Sequence, residues 1–440
     1  YPPISDVVKG YGIPCATNYS ASNIPDNTRT VVIGRHAKLV PETNPEVAEA
    51  FRRQQDGQLT ILSFPELLRD LIGDATPLIV AGSYGKSTCS ALAAWVLHAS
   101  GHQPGWFVGA EVPCLGANGN LGNGEVFVVE GDEYPATLGD IRSKFAFYPV
   151  RHLLLTSCEH DHVNVFPTQS DYLAPFHELA RRVPGNGTLI ACANAPFVQD
   201  VIAGCTAPVV RYRIEPGPDI DWSATDLRVE NGITRFTILH HNTAVCAVET
   251  TLLGRHNVEN LIGVAAATVG TGLVSPTDYA DAISRFTGIR RRLERLTPEG
   301  TLPVYNDFGS SRAKCRAGID ALRDAFPDRR LVLCFEPHTF SFRNREALPW
   351  YDRLFAGVGQ VFVYPPPDHG AGSHDQLTLS EIVERIQGSG VDARPVASAD
   401  ALLHHLQSCD PARDVIVFET SGGYDGAIPR VAEWASRQRG

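Results

Sequence analysis

Short apolar runs alternate with helix-length amphipathic stretches through most of the chain. Pro77-Leu-Ile-Val80 is apolar, is followed by Gly82 and Gly85, and leads into a helical stretch from Ser87 to Ser100 that Gly101 closes. This predicts strand, loop and helix. Further strand-like runs fall at Val126 to Glu130, His152 to Leu155 and Thr188 to Cys192, with helix-length segments such as Tyr172 to Val183 between runs. The alternation predicts a parallel sheet with crossover helices. From Asp219 to Leu253 the period shortens to that of alternating strands with a turn at Asn231-Gly232, which predicts an antiparallel appendage. A helix is expected after Gly254-Arg-His-Asn257.

Beyond the arginine-rich Ile289 to Arg295 the strand and helix pattern resumes. Val304 to Asp307, Leu331 to Phe335, Val361 to Tyr364, Ala393 to Val396 and Asp414 to Phe418 read as strands, with helices such as Ala313 to Arg323 and Leu379 to Ile386 between them. At 440 residues the chain is too long for one ordinary core. The expected division is 1–75, 76–295 and 296–440. The first part holds a strand, Thr30 to Ile33, and a helical segment, Asn44 to Gln55, too little for a whole domain, and reads as the back of a truncated one.

Composition narrows the class. With 43% hydrophobic and 20% charged residues, the chain is balanced as a folded globular protein and not as a disordered or fibrous one. Its 38 basic and 49 acidic residues give a formal charge of −11, which argues against duplex nucleic acid or an anionic membrane surface as the main partner. Any anionic ligand must then be met by a local site. Apolar runs fall far short of the roughly 20 residues that span a bilayer. The ten cysteines include no Cys-x-x-Cys pair, so neither a disulfide framework nor a cysteine zinc site is indicated, and a reducing cytoplasm is the expected location. The chain opens Tyr1-Pro2-Pro3 and holds no Met, so further residues are expected upstream.

The strongest chemical signal is Ala81-Gly-Ser-Tyr-Gly-Lys-Ser-Thr88 between strand and helix. Glycines let backbone N–H groups turn toward a phosphate, the helix N-terminus adds its dipole, Lys86 supplies a point charge and Ser87 reaches a Mg²⁺ bridging phosphates. The spacing departs from the standard Walker loop, whose first Gly is replaced by Val80. The plain alternative is a tight glycine turn; on either reading Lys86 is expected on an exposed loop. Val126-Phe-Val-Val129 ends in Glu130-Gly-Asp-Glu133, a carboxylate cluster whose hard oxygens suit Mg²⁺. Leu153-Leu-Leu155 leads to Glu159-His-Asp-His162, open to three readings: zinc, a solvated turn, or a second divalent cation on one histidine, which proximity to the nucleotide loop favours. Asn257 and Asn260 lie three apart at a helix start, as an N-cap or as a pair that bonds a base edge. Arg290-Arg-Arg292 is either a solvated charge run or a reach toward a transferring phosphoryl group.

In this order the motifs resemble those of the Mur ligase family, the ATP-dependent amide ligases of bacterial cell-wall synthesis. The loop at 82–88 is similar to that family's Gly-Thr-x-Gly-Lys-Thr-Thr, and Glu130 to Glu133, Glu159 to His162, Gly254 to Asn260, Arg291-Arg-Leu-Glu294 and Asn306-Asp307 follow in family order. Tyr1-Pro-Pro-Ile-Ser5, Asp132-Glu-Tyr134, Arg142-Ser-Lys-Phe145 and Ser421-Gly-Gly-Tyr-Asp-Gly426 resemble the murein tripeptide ligase branch. The resemblance implies an α/β fold of three domains: a truncated N-terminal domain for a UDP substrate, a P-loop-type central ATP-binding domain and a Rossmann-like C-terminal ligase domain. It implies an ADP-forming ligase that joins the carboxylate of UDP-N-acetylmuramic acid to the amine of L-alanyl-γ-D-glutamyl-meso-diaminopimelate through an acyl phosphate, in peptidoglycan recycling. Its cofactors would be ATP and Mg²⁺ or Mn²⁺, and its partners small molecules, a UDP-sugar acid and an amino acid or peptide, with no nucleic acid and no membrane.

Carried over by residue, the resemblance implies that Gly82, Ser83, Gly85, Lys86, Ser87 and Thr88 cradle the ATP phosphates, with Lys86 on the γ-phosphate. Ser87 and Glu130 would bind Mg²⁺ and His162 a second metal. Asn257 and Asn260 would hold adenine, Arg292 the phosphates, and Asp307 the nucleotide from the C-terminal domain. Lys86, Glu130, His162 and Arg292 are the implied catalytic set. Three departures stand out. The family's UDP-cradling loop would precede Tyr1. Ser310 and Ser311 occupy the place of two histidines, which bears on the amine. No lysine lies between Lys144 and Lys314, so the carbamylated lysine of some members has no candidate near His162. The alternatives are UDP-N-acetylmuramate–L-alanine ligase, against which Arg142 to Phe145 speak, a similar ligase for an acid and amine outside the cell wall, and a nucleotide-gated binding protein without chemistry. Intact Lys86, Glu130 and His162 speak against the last.

Overall fold

The computed structural model describes residues 8–36, 38–162, 165–230, 232–367 and 375–439. In its first part β1 (Thr30–Ile33) pairs in parallel with β2 (Thr60–Ser63), connected through the helix Pro45–Gln55 that Asn44 caps by accepting from the N–H groups of Glu46 and Val47. A helix absent from the sequence reading, Phe64–Ile72, follows directly. Its start was legible, since Ser63 and Glu66 form a reciprocal capping box. Tyr1 to Ser5 lie outside the described residues.

The central sheet has ten strands: β3 (Thr76–Ala81), β4 (Gly105–Phe107), β5 (Gly119–Asn120), β6 (Val126–Gly131), β7 (His152–Leu155), β8 (Thr188–Cys192), β9 (Val209–Tyr212), β10 (Trp222–Glu230), β11 (Ile233–His240) and β12 (Thr243–Thr250). Their order is β12-β11-β10-β9-β8-β7-β3-β6-β4-β5. Strands β4, β6, β3, β7, β8 and β9 run parallel. The predicted antiparallel appendage is the meander β10 to β12, which continues this sheet through one parallel pair, Trp222 with Tyr212. Asn231 of the expected turn lies outside the described residues.

Alternation along the strands builds two cores. Leu78, Val80, Val126, Val128 and Leu154 point to the face covered by the helices Lys86–Ala99 and Arg255–Thr268. Ile79, Ala81, Phe127, Val129 and Leu155 point to the face covered by the helices Phe64–Ile72 and Gln169–Arg181. Burial on both faces explains why these strands read as unbroken apolar runs. The chain winds outward from β3 to β4 and β6 on one side and to β7 and β8 on the other, so the loop after β3 emerges where the winding reverses, the usual place for a ligand in such a sheet.

The last sheet has the order β13-β14-β18-β15-β16-β17 and comprises β13 (Glu294–Arg295), β14 (Val304–Asp307), β15 (Arg330–Phe335), β16 (Gln360–Val363), β17 (Ala393–Pro395) and β18 (Asp414–Glu419). All pairs but β13–β14 are parallel, and β18 is inserted between β14 and β15. Leu331, Leu333, Phe335, Val415 and Val417 feed one core, and Val332, Cys334, Ile416 and Phe418 the other. The ten cysteines are free thiols. Among the described residues no helix is long and apolar enough to cross a membrane.

Candidate active site

The loop after β3 is shaped by two glycines. Gly82 has φ +139°, and a Cβ there would lie 2.3 Å from the Thr156 hydroxyl and 2.7 Å from the Ser157 carbonyl at the end of β7. Gly85 caps the helix Lys86–Ala99 in the left-handed region, φ +81°, where a Cβ would meet the Asn260 side-chain oxygen at 2.7 Å. Side chains are excluded at both positions by backbone conformation and by close approach. Thr156 and Ser157 fasten the loop: the Tyr84 N–H donates to the Ser157 hydroxyl at 2.9 Å, and the Thr156 hydroxyl donates to the Tyr84 carbonyl. The Ser83 hydroxyl donates to the Glu159 carbonyl at 2.5 Å. Neither Thr156 nor Ser157 belongs to a recognisable motif, and only the fold reveals their part.

Lys86 is not exposed as the sequence reading expected. Its side chain is 13% accessible, and Nζ donates to the Gly82 carbonyl at 2.6 Å and to the Glu133 carboxylate at 2.7 Å. Glu133 is itself 1% accessible, receives the Tyr172 hydroxyl at 3.4 Å and faces His162 Nε2 at 3.3 Å. Burial alone would raise the Glu133 pKa, but Lys86 and His162 outweigh it and hold the carboxyl at about 2.

Ser87 and Glu130 come together. The Ser87 hydroxyl donates to Glu130 Oε1 at 2.9 Å, and the Gly109 N–H donates to Glu130 Oε2 at 2.7 Å. Mg²⁺ takes few protein ligands and completes its octahedron with phosphates and water, so a hydroxyl and a carboxylate joined at the head of a phosphate loop fit that ion. His162 is not brought to this pair. It adopts φ +58°, its Nδ1 meets the Tyr134 hydroxyl at 2.9 Å, and its Nε2 faces Glu133. In this arrangement both ring nitrogens of His162 face protein groups, Tyr134 and Glu133, and the second ion expected on it is left as a proposal.

The helix Arg255–Thr268 carries the asparagines. Its N-cap is Gly254, which removes the capping role for Asn257. Asn257 donates to the Leu253 carbonyl at 2.8 Å and accepts from Asn260 at 3.1 Å, while Asn260 also accepts from the Cys89 thiol at 3.3 Å. Both are buried but line the cavity. A base edge would use their remaining lone pairs and protons.

Between the two large sheets these residues wall a cavity of about 430 Å³, within the roughly 300–1,000 Å³ of small-molecule sites. Ser83, Gly85, Lys86, Ser87, Thr88, Glu130, Asn257, Asn260, Arg292 and Asp307 all line it. Gly82 and His162, also expected at the site, are not among its lining residues. The three linker arginines part company. Arg290 pairs with Glu294 and Glu111, and Arg291 donates to the carbonyls of Thr420 and Gly422 at 3.1 and 2.8 Å. Arg292 makes no ion pair among the described residues and stacks on Phe308 at 4.9 Å, its charge open to the cavity. Asp307, buried at the end of β14, accepts from the Leu293 N–H at 2.9 Å, and burial raises its pKa.

Ser311 N-caps the helix Arg312–Ala325, and the Ser310 hydroxyl accepts from Lys314 at 3.3 Å. Lys314 lines the cavity and reaches Asp161, the neighbour of His162, at 3.4 Å. Sequence spacing keeps Lys314 apart from this segment, and the second large sheet brings it to Asp161 from 153 residues away in sequence.

This geometry can be set beside known proteins. The sequence model of the Mur ligase middle domain matches residues 80–268. UDP-N-acetylmuramate–L-alanine ligase of Burkholderia multivorans is 30% identical over 98% of this chain and 85% of its own length. The chain belongs to the Mur ligase family. Mur ligases are ATP-dependent enzymes that form amide bonds in peptidoglycan synthesis, and this enzyme is one of them. Among solved structures, UDP-N-acetylmuramate-alanine ligase of Thermotoga maritima superposes with a TM-score of 0.75 at 19% identity, over 98% of this chain and 90% of that one. The UDP-N-acetylmuramate:L-alanyl-γ-D-glutamyl-meso-diaminopimelate ligase of Neisseria meningitides is 30% identical over 66% of this Mur ligase and 89% of its own chain, with a TM-score of 0.57.

Proposed function

We propose that this Mur ligase activates the carboxylate of UDP-N-acetylmuramic acid with ATP and joins it to the amine of L-alanyl-γ-D-glutamyl-meso-diaminopimelate, in the reducing cytoplasm where peptidoglycan fragments are recycled. The observation that carries the ligase chemistry is the convergence of Lys86, the Ser87–Glu130 pair, Arg292 and Asp307 on one cavity between two sheets. The tripeptide as amine is supported by the likeness to the Neisseria enzyme and by the segment Arg142 to Phe145. In that segment Ser143 donates to the Glu133 carbonyl at 2.6 Å and Lys144 binds Asp132 at 2.6 Å, so it braces the loop that holds the Lys86 partner.

In this reading Lys86 and the N–H groups at the start of the helix Lys86–Ala99 hold the phosphates. Arg292 enters from the linker, and Asn257 and Asn260 face the base. When bound, Mg²⁺ neutralises phosphate charge so that an anionic carboxylate approaches the γ-phosphorus. The carboxylate takes the phosphoryl group, ADP leaves, and the amine displaces phosphate. Asp307 and Phe308 position the linker that carries Arg292.

A second reading, UDP-N-acetylmuramate–L-alanine ligase, is favoured by the Burkholderia relative, whose similarity runs through 98% of this chain. ADP release with UDP-N-acetylmuramic acid, tested against the tripeptide, L-alanine and unrelated amines, decides between them. Tripeptide-dependent turnover supports the recycling reaction and alanine-dependent turnover the second. No turnover with any such pair means an acid or amine outside the cell wall.

A further inference from the structure

Lys314 stands where helix energetics disfavour it. It is the third residue of the helix Arg312–Ala325, which has no acidic residue in its first turn. A cation there opposes the helix dipole. Its side chain nonetheless turns into the cavity, 22% accessible, where Nζ lies 3.4 Å from Asp161 Oδ2, 3.3 Å from the Ser310 hydroxyl and 5.2 Å from the centre of the Tyr84 ring.

These contacts hold the ammonium without saturating it. Lys86 makes two bonds of 2.6 and 2.7 Å, the length of charge-assisted hydrogen bonds, about 2.7–2.9 Å. The shortest contact of Lys314 is 3.3 Å. Burial lowers the Lys314 pKa, Asp161 acts in the opposite sense, and the positive charges of Lys86 and Arg292 lower it further. Three cations, Lys86, Arg292 and Lys314, thus line one cavity together with the carboxylates of Glu130, Glu159, Glu259 and Asp307, and the cations mark where on that mixed wall phosphate oxygens can settle. Two come from the central sheet and its linker, while Lys314 comes from the other side.

We propose that Lys314 is a second phosphate lysine that binds the γ-phosphoryl group of ATP during transfer, with Asp161 holding it ready in the absence of nucleotide. This rests on the ATP-dependent reading above. In the step itself the bond from the γ-phosphorus to the ADP oxygen breaks and the bond to the substrate carboxylate oxygen forms. Both electron pairs stay on oxygen, no proton moves, and Lys314 remains an ammonium throughout. Its charge matches the oxygens of the travelling group, which neither ADP nor the free acid presents.

Equilibrium binding of ADP and of a β,γ-non-hydrolysable ATP analogue, each with Mg²⁺, to the full chain and its variants tests this. In Lys314→Met the affinity for the analogue should fall about tenfold or more, with ADP within about twofold, and Lys314→Arg should recover most of the loss. Asp161→Asn, which frees the lysine without removing it, should tighten the analogue relative to ADP. An unchanged ratio of analogue to ADP affinity in Lys314→Met overturns the proposal. So does an equal fall in both, the mark of a merely structural role. Should Lys314→Met not fold, an Asp161→Asn variant that weakens both nucleotides alike overturns it. Absence of turnover with every muramic acid pair would sink the substrate reading and leave this ratio standing. Turnover in the parent with the ratio unmoved would sink Lys314 alone.

Discussion

Lys86 and Glu133 form a buried ion pair, Nζ to Oε2 at 2.7 Å, 47 residues apart in sequence. The lysine of the phosphate loop is therefore also a structural counter-ion. Lys86→Ala should lose turnover by about 10²-fold or more and, because it strands a buried carboxylate, about 3–5 kcal/mol of stability. Pairing it with Glu133→Gln should restore much of the stability and none of the turnover. Denaturant melts beside an ADP-release assay separate the two effects, and a Lys86→Ala protein as stable as the parent would show that the pair is not formed.

The junction of Ser87 with Glu130 makes metal dependence the next expectation. A chelator should abolish ADP release, and Mg²⁺ or Mn²⁺ should restore it. Glu130→Ala should raise the Mg²⁺ concentration needed for half-maximal rate, since the Glu130 carboxylate accepts the hydrogen bond of the loop serine Ser87. Recovery by zinc alone would contradict the assignment.

Glu419 ends β18 in register with Asp307 at the end of β14. It is fully buried, and neither of its carboxylate oxygens has a hydrogen-bond partner among the described residues. Burial raises its pKa well above 4.5, Asp307 adds to this, and Cys315 works weakly against it. A raised acid favours the native state below the unfolded pKa and loses that advantage as pH climbs. Glu419→Met should therefore be more stable than the parent at neutral pH, by about 1–3 kcal/mol, with the difference shrinking toward pH 4.5. Melts at the two pH values check this; a constant difference would contradict it. Glu133, held at about 2, acts in the opposite sense, contributing stability above 4.5 that is lost as pH falls toward 2.

The linker holds Arg291 at φ +60° and Leu293 at φ +46°, left-handed conformations outside glycine, each fixed by a carboxylate: Glu294 accepts from the Arg291 N–H and Asp307 from that of Leu293, both at 2.9 Å. The expectation is that these strained linker residues act as a hinge on which the C-terminal part closes over ATP. Scattering from the chain with the ATP analogue should give the narrower distribution of sizes. Identical profiles at saturating nucleotide would count against hinge closure.

Strand positions were legible because burial on both faces leaves continuous apolar runs, as in Leu78 to Ala81 and Val126 to Val129. The strand β2 escaped notice because Thr60-Ile-Leu-Ser63 is short and half-exposed on the small sheet. Within the site, Lys86, Ser87 and Glu130 announce themselves by type and spacing. The burial of Lys86 does not, because it depends on Glu133 and Tyr172 arriving from other strands and helices. Nor does the reach of Lys314, one of five lysines in the chain, which follows from how the last sheet sits against the central one.

The insertion of β18 between β14 and β15 has a consequence for how the chain is made. Before residues 414–419 emerge from the ribosome, β14 and β15 have no strand between them to hydrogen bond, and Val304, Val332 and Phe362 lack the Ile416 and Phe418 that complete their core. The C-terminal sheet thus cannot close until that strand has emerged, by a contact spanning more than 100 residues. Closure of that kind is slow and leaves two strand edges exposed in the meantime. The central sheet, whose last strand ends at Thr250, is complete long before and is available as a folded neighbour when the final strand arrives.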